Sequence, residues 1–204
     1  MKKIVYIDLD NVLVDFPSAF SKLDKDLLNS TDDKDDIPGI FALMEPVEGA
    51  VDAFSALSKE FDVYVLSTSP WANPSAWSDK VEWVQKYLGE PAYKRLILTH
   101  HKNLNKGDYL IDDRTKNGAS EFEGEFIHFA SDKFPDWNSV LKYLLPLKKY
   151  KVISQPLIGD SASIEYIVEA INEDEAKDLA LKRLIDEESE GVLLDSPAQI
   201  FTAE

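Results

Sequence analysis

The chain has no cysteine, which removes disulfides, zinc–thiolate centres and thiol nucleophiles from consideration at once. Long apolar runs are missing too. Near the start the longest is Ile4-Val5-Tyr6-Ile7, ended by Asp8. That run is too short for the core of a signal peptide, and no other stretch approaches a membrane span. The expectation is a soluble, cytoplasmic protein with no membrane partner. Positive charge is also scarce: 22 Lys and Arg stand against 38 Asp and Glu, a net charge of −16. Such a balance excludes a general binder of the phosphate backbone, so no nucleic-acid duplex is expected as partner. A small phosphorylated ligand stays open, because one metal ion and one lysine can reverse the field locally.

What is present is enough for a core. Hydrophobic residues make up 44% of 204 residues, a size that suggests one domain plus an appendage. Short apolar runs recur at Ile4–Ile7, Val63–Leu66, Leu96–Leu98, Tyr109–Ile111 and Phe126–Phe129. Runs of this length without alternation suit strands buried on both faces of a parallel sheet. Between them the period becomes helical. Val51, Phe54 and Leu57 form one stripe; Trp77, Val81, Val84 and Leu88 form a second, stopped by Gly89; Trp137, Val140, Leu141, Leu144 and Leu145 form a third, with Asp136 as cap. Strand–helix alternation of this kind predicts a doubly wound α/β domain with right-handed crossovers.

Two segments break the rhythm. Residues 17–46 separate the first strand from its return helix and carry the acidic stretch Asp32-Asp33-Lys34-Asp35-Asp36. They are expected to form a small helical cap, with a disordered loop as the alternative for residues 30–37. The second segment follows Lys148-Lys149-Tyr150-Lys151. In it Ile164, Tyr166 and Val168 alternate like a half-buried strand. Asn172 and Glu175 form a capping box ahead of Ala176, Leu179, Ala180 and Leu184 on one helix face. Gly191 ends that helix and Val192-Leu193-Leu194 reads as a further strand. The expected division is therefore a domain over 1–150 and a strand–helix–strand, α+β appendage over 151–204 without a recognisable catalytic group. Beyond residue 150 the chain has 4 basic and 13 acidic residues, read as a solvated acidic surface.

The chemistry concentrates at strand ends. Asp8 and Asp10 close the first strand, two residues apart and thus on one face, at the sheet edge where open α/β sheets bind ligands. One carboxylate can attack phosphorus while the other, protonated, donates to the departing alkoxide. Turn-forming, capping aspartates are the plainer alternative for such a pair. The strand Val63–Leu66 ends in Ser67-Thr68-Ser69-Pro70, whose hydroxyls and amides can hold phosphoryl oxygens, although that tetrapeptide is also an ordinary turn. Leu96–Leu98 leads to Thr99-His100-His101-Lys102. An ammonium there would reduce repulsion between Asp8 and an incoming phosphate, with Lys106 as competitor. The adjacent imidazoles of His100 and His101 point apart and make a poor metal pair. Finally, Tyr109-Leu110-Ile111 runs into Asp112-Asp113-Arg114. Four carboxylates converging on one crevice require a cation, and hard oxygen ligands describe Mg²⁺.

In this order the four stretches resemble the motifs of the haloacid dehalogenase (HAD) superfamily. More narrowly, Asp8-Leu9-Asp10-Asn11-Val12-Leu13-Val14-Asp15-Phe16, Ser67-Thr68-Ser69-Pro70, Trp83-Val84, Leu88-Gly89 and Gly107–Arg114 resemble the 5′(3′)-deoxyribonucleotidase family over roughly residues 1–145. The resemblance implies a HAD-like Rossmannoid fold and Mg²⁺-dependent hydrolysis of nucleoside monophosphates through an aspartyl phosphate. It implies Asp8 as nucleophile and Asp10 as general acid and base. Thr68, Ser69 and Lys102 would contact phosphate, and Phe16 and Phe41 would contact the base. Magnesium would be held by Asp8, the main-chain carbonyl of Asp10, and Asp112 or Asp113. Three departures stand out. Asn11 replaces the usual glycine, Trp71-Ala72-Asn73 occupy a stretch where some members carry a basic residue, and His100 stands where an arginine can occur. The competing expectations are a phosphatase for a sugar phosphate or other small metabolite, and a non-catalytic phospho-ligand-binding regulator. A homodimer is left open.

Overall fold

The computed structural model describes residues 2–155, 164–189 and 199–203. They form two compact units, Met1–Leu141 and Lys142–Glu204.

The first unit is built on a parallel sheet of β1 (Ile4–Ile7), β4 (Asp62–Ser67), β5 (Leu96–Leu98), β6 (Tyr109–Asp112) and β7 (Glu125–His128). Two short strands, β2 (Val14–Asp15) and β3 (Glu45–Pro46), pair antiparallel within the segment that follows β1. The order of the main sheet is β5-β4-β1-β6-β7, with every pair parallel. All five expected runs are strands, displaced by a residue at most at either end. β1 lies centrally, and Val5, Tyr6 and Ile7 are buried, as strands covered on both faces must be.

The helices α2 (Ala50–Glu60), α3 (Ser75–Tyr87) and α4 (Trp137–Leu144) occupy the expected positions. α3 does not bury the expected face. Val84 and Leu88 are buried, but Trp77 is 36% and Val81 39% exposed. The face turned inward carries Ala76, Asp79, Lys80 and Trp83 instead. An apolar stripe counted from Trp77 misses this register because a lysine and an aspartate lie on the buried side.

Residues between β1 and α2 are ordered as 3-10 turns (Phe16–Lys22, Lys34–Asp36, Ile40–Leu43) and the short helix α1 (Lys25–Ser30). The acidic stretch is thus a structured turn, held by the side chains of Asn73 and Ser75. Asn73 Nδ2 donates to the carbonyls of Asp35 (2.8 Å) and Ile37 (3.0 Å). Ser75 Oγ donates to Asn73 Oδ1 (2.7 Å) and accepts from Gly39 N (2.8 Å). The buried indole of Trp83 donates to Met44 O at 3.0 Å. Farther on, the Trp137 indole donates to Val12 O at 2.9 Å, fixing the loop that leaves β1.

The second unit is antiparallel. β8 (Lys148–Gln155), β9 (Ile164–Ala170) and β10 (Gln199–Ala203) pair in the order β10-β8-β9, with α5 (Glu173–Ser189) connected to β9. Val152, Tyr166, Val168, Ala170, Ala176, Ala180 and Leu184 form its core. Glu175 N donates to Asn172 Oδ1 at 2.8 Å, and the Glu175 carboxylate accepts from Ile171 N at 2.9 Å, a reciprocal cap. Leu179, expected on the buried face, is 36% exposed. The lysines at 148–151 belong to a strand rather than to a junction, so the division between units falls earlier than composition places it. Gly191 and Val192–Leu194 lie outside the described residues.

At the turn after Asp10, Asn11 has φ of 56°, in the left-handed region that glycine enters freely and asparagine tolerates. The substitution of asparagine for glycine therefore preserves the turn. Replacing Asn11 with Ala is expected to cost about 1–2 kcal/mol in urea unfolding, and Asn11→Gly less than about 1 kcal/mol. Equal losses would show that the side chain, not the backbone conformation, matters at this position.

Candidate active site

The register of the sheet brings the carboxylates together. Ile7 pairs with Val65 on one side and Ile111 on the other, so Asp8 and Asp112, each one residue farther, sit level on neighbouring strands. Adjacent strands are only about 4.8 Å apart. Asp8 N donates to Ile111 O at 2.9 Å, which locks that level. Carboxylate oxygens of Asp8, Asp112 and Asp113 all lie within 4.8 Å of one another. The chain moves from β1 to one side of the sheet through β4 and β5, then returns to the other side at β6. The cluster lies where strand order reverses, outside the carboxyl ends of the strands, the position at which such sheets form a crevice.

Two buried lysines meet this negative charge. Lys102, 3% exposed, donates to Asp112 Oδ2 at 2.5 Å and lies 3.0 Å from Asp8 Oδ1. Burial works against its charge, but Asp8 and Asp112 outweigh that and raise its pKa. It enters from the loop between β5 and β6; Lys106 is exposed and contributes its carbonyl to the Tyr6 hydroxyl.

The second lysine, Lys80, belongs to no motif of the sequence. Its side chain is fully buried and its ammonium donates to Asp10 Oδ2 (2.5 Å), Ser67 Oγ (3.1 Å) and Thr68 O (2.7 Å). It also lies 4.7 Å from the centre of the Phe41 ring. The available signal was a lysine placed three residues before Trp83 and four after Ala76, on the face of α3 that turns inward, a pattern too common to single it out.

Burial raises the pKa of Asp10, with the Asp8 charge adding to it and Lys80 opposing. Burial and Asp8 likewise lift Asp112 to about 7, and burial lifts Asp113. Several oxygens in this cluster lack hydrogen bonds. Asp8 Oδ1, Asp10 Oδ1 and Asp113 Oδ1 are buried without a hydrogen-bond partner, the Lys102 contact to Asp8 being an ion pair. Asp112 is the better satisfied of its pair, because its Oδ1 accepts from Arg114 N at 3.0 Å. Asp113 has only a long bond from Asn11 Nδ2 (3.4 Å) and the Arg114 guanidinium at 3.6 Å. Orphaned carboxylate oxygens that face one another are a donor set for a hard divalent cation.

A cleft of about 440 Å³ opens over these groups, lined by Asp8, Asp10, Lys102 and Asp112 together with the acidic turn at Asp33–Asp36 and the aromatic pair Trp71 and His100. Thr68 lines it as well, but its hydroxyl already donates to Thr99 O at 2.9 Å. Ser69 is fully buried beneath, its Oγ without a partner. Phe16 and Phe41 are brought together, ring centres 5.8 Å apart, yet neither lines the cleft. Among the described residues, no helix is long and apolar enough to cross a membrane.

Comparison with known proteins agrees with this architecture. A sequence model of the family described as 5′ nucleotidase, deoxy (Pyrimidine), cytosolic type C protein matches residues 35–138. The chain is 61% identical over 144 residues to a protein of Vibrio phage KVP40 provisionally named a 5′(3′)-deoxyribonucleotidase, covering 70% of this chain and 85% of that one. It is 29% identical over 150 residues to the 5′(3′)-deoxyribonucleotidase of Bacillus subtilis, covering 63% and 86%. The human 5′(3′)-deoxyribonucleotidase, cytosolic type, is 29% identical over 148 residues, covering 57% and 74%.

The raised carboxyl groups set a pH dependence. Asp10, Asp112 and Asp113 bind protons more readily folded than unfolded, so their contribution to stability is present below about pH 4 and lost as pH rises. For Asp112 the loss runs through about pH 7. In chelator, the melting temperature is expected to fall from pH 4 to pH 7.5, and Asp112→Asn to flatten the fall. Added Mg²⁺ should restore stability most at the upper end, where the cluster is ionised. A melting temperature that rises with pH in chelator would contradict the assignment.

Proposed function

Because the chain belongs to the 5′(3′)-deoxyribonucleotidase family of the HAD superfamily, a family of phosphoric monoester hydrolases, we propose that it dephosphorylates nucleoside monophosphates with Mg²⁺ through a phosphorylated Asp8. The observation that carries this reading is the meeting of Asp8, Asp112 and Asp113 within 4.8 Å, with the Lys102 ammonium touching two of them.

Asp8 is the nucleophile: a carboxylate oxygen attacks phosphorus and the bond to the ester oxygen breaks. Asp10 gives its proton to that departing oxygen, a role favoured by a pKa raised through burial and the neighbouring Asp8. Lys80 positions the Asp10 carboxylate by holding one of its oxygens, while the other is left unpaired. Lys102, with the turn at Thr68 and Ser69, holds phosphoryl oxygens; the unengaged Ser69 hydroxyl supports its part in this. In the second half, Asp10 takes a proton from water, the water oxygen attacks phosphorus, and the acyl phosphate releases inorganic phosphate and free Asp8.

The cation would be held by Asp8, the carbonyl of Asp10 and Asp113. Asp113 is preferred over Asp112 because Asp112 already engages Lys102 and Arg114 through its two oxygens. Bound there, a divalent ion supplies charge neutralisation to the carboxylates and polarises the phosphoryl group. Small nucleotides as substrates and a cytoplasmic setting follow the named relatives.

Asp8→Asn is expected to lower kcat at least about 1,000-fold, the scale on which loss of a nucleophile acts, without lowering the melting temperature. Full turnover in that variant would remove the mechanism. Asp113→Asn should raise the Mg²⁺ concentration for half-maximal activity at least about tenfold and exceed the effect of Asp112→Asn on the same quantity; the reverse ranking would exchange the two roles.

A further inference from the structure

Arg114 closes the Asp112-Asp113-Arg114 stretch, and the two half-reactions at Asp8 give its side chain no task. Its main chain has one: Arg114 N donates to Asp112 Oδ1 at 3.0 Å. Every residue but proline can do that, so the side chain needs its own explanation. The guanidinium lines the cleft beside Asp8, Asp10 and Lys102. Its Nε lies 3.6 Å from Asp113 Oδ2, too far for a hydrogen bond, and 51% of the side chain is exposed. Among the described residues no hydrogen bond engages it. A planar fork of five N–H donors therefore stands almost wholly unused at the rim of a site for phosphate.

Neither buried lysine offers the same. Lys80 already donates to Asp10, Ser67 and Thr68, and Lys102 is shared between Asp112 and Asp8. Both ammonium groups offset carboxylates that belong to the protein. A phosphomonoester brings about two further negative charges at neutral pH. Lys116 lines the cleft too, exposed to solvent, where its charge is screened. Arg114 stands in the field of the reacting groups. Burial works against its charge, yet the charges of Asp113, Asp8, Asp10 and Asp35 outweigh that and raise its pKa. The plainer role for the guanidinium is a tie between Asp113 and the acidic turn at Asp35. Among the described residues no ion pair or hydrogen bond joins Arg114 to Asp35, and one carboxylate reached at 3.6 Å leaves the fork unfilled. Two oxygens of a phosphoryl group would fill it, in the bidentate geometry that guanidinium and phosphate share.

We propose that Arg114 is a further catalytic residue, whose guanidinium donates to non-bridging oxygens of the phosphoryl group as it passes to Asp8. The proposal rests on the phosphatase reading under the preceding heading. Arg114 makes and breaks no covalent bond. It holds the phosphoryl group and offsets the charge carried on its oxygens while the ester bond breaks.

The test uses the full-length enzyme with Mg²⁺ and measures kcat for a deoxyribonucleoside 5′-monophosphate, with inhibition constants for inorganic phosphate and for orthovanadate. Arg114→Ala is expected to lower kcat at least about 100-fold, the scale on which one donor to a developing oxyanion acts. It should weaken inhibition by both anions, and by orthovanadate more, because that ion takes the geometry of the transition state. Arg114→Lys keeps the charge without the fork and should recover only part of the loss. Added guanidinium ion should return activity to Arg114→Ala and none to Asp8→Asn. Asp35→Asn, which removes a carboxylate competing for the guanidinium, should leave both inhibition constants as tight as in the wild type or tighter. Unchanged inhibition by both anions in Arg114→Ala overturns the contact, and it spares the phosphatase reading where Asp8→Asn is inactive. Inhibition weakened equally by Asp35→Asn and Arg114→Ala makes Arg114 a tie to the acidic turn and also overturns the proposal. A wild type without Mg²⁺-dependent hydrolysis of any phosphomonoester removes both.

Discussion

Like-charge repulsion governs this molecule. Asp8, Asp10, Asp112 and Asp113 are delivered to one sheet edge by strands paired in a fixed register, and three of their oxygens are buried without a hydrogen bond. Carboxylates held this way are destabilising unless protons, cations or ammonium groups offset them. The fold supplies two ammonium groups from different directions, Lys102 from the loop after β5 and Lys80 from the inner face of α3. Lys80 takes Asp10, while Lys102 is shared between Asp112 and Asp8; Asp113 has the Arg114 guanidinium at 3.6 Å. The raised pKa values of Asp10, Asp112 and Asp113 are the same repulsion and burial expressed as proton affinity.

The surroundings are arranged to preserve that balance. Lys80 cannot be removed from Asp10 without losing its bonds to Ser67 and Thr68, so the orientation of the Asp10 carboxylate and the geometry of the Ser-Thr-Ser-Pro turn are coupled. The same turn continues into Asn73 and Ser75, whose hydrogen bonds hold the acidic segment at Asp35–Gly39. One stretch, Ser67 to Ser75, therefore connects the Asp10 carboxylate, the floor of the cleft and its acidic rim.

Much of the α/β framework was legible because it depends on local rules. Apolar runs without alternation gave every strand of the parallel sheet, and helical periodicity gave the three main helices. Sequence reasoning failed at three elements, in one of them because polar residues lie on the buried face. Lys80 and Asp79 turn α3 so that Trp77 and Val81 reach solvent. Lys148, Lys149 and Lys151 hid a strand in which Tyr150 and Val152 turn inward and Lys149 and Lys151 alternate with them. On α5, small residues fill the inward face and leave Leu179 half outside. Periodicity assumes that charge points to water, and α3 departs from that assumption because its buried lysine meets the Asp10 carboxylate.

The amino-acid order by itself determined which carboxylates end which strands, and therefore that acidic, hydroxyl and ammonium groups would gather at the carboxyl edge of a parallel sheet. Strand period and chain direction suffice for that. Tertiary structure alone decided the partners: Lys80 for Asp10, Lys102 for Asp112, and an exposed Trp71 beside His100 while Phe41 is sealed. Those choices depend on how a helix is rotated against the sheet and how a cap lies on it. Both are settled by the summed packing and charge of residues far apart in the chain, which no local pattern records.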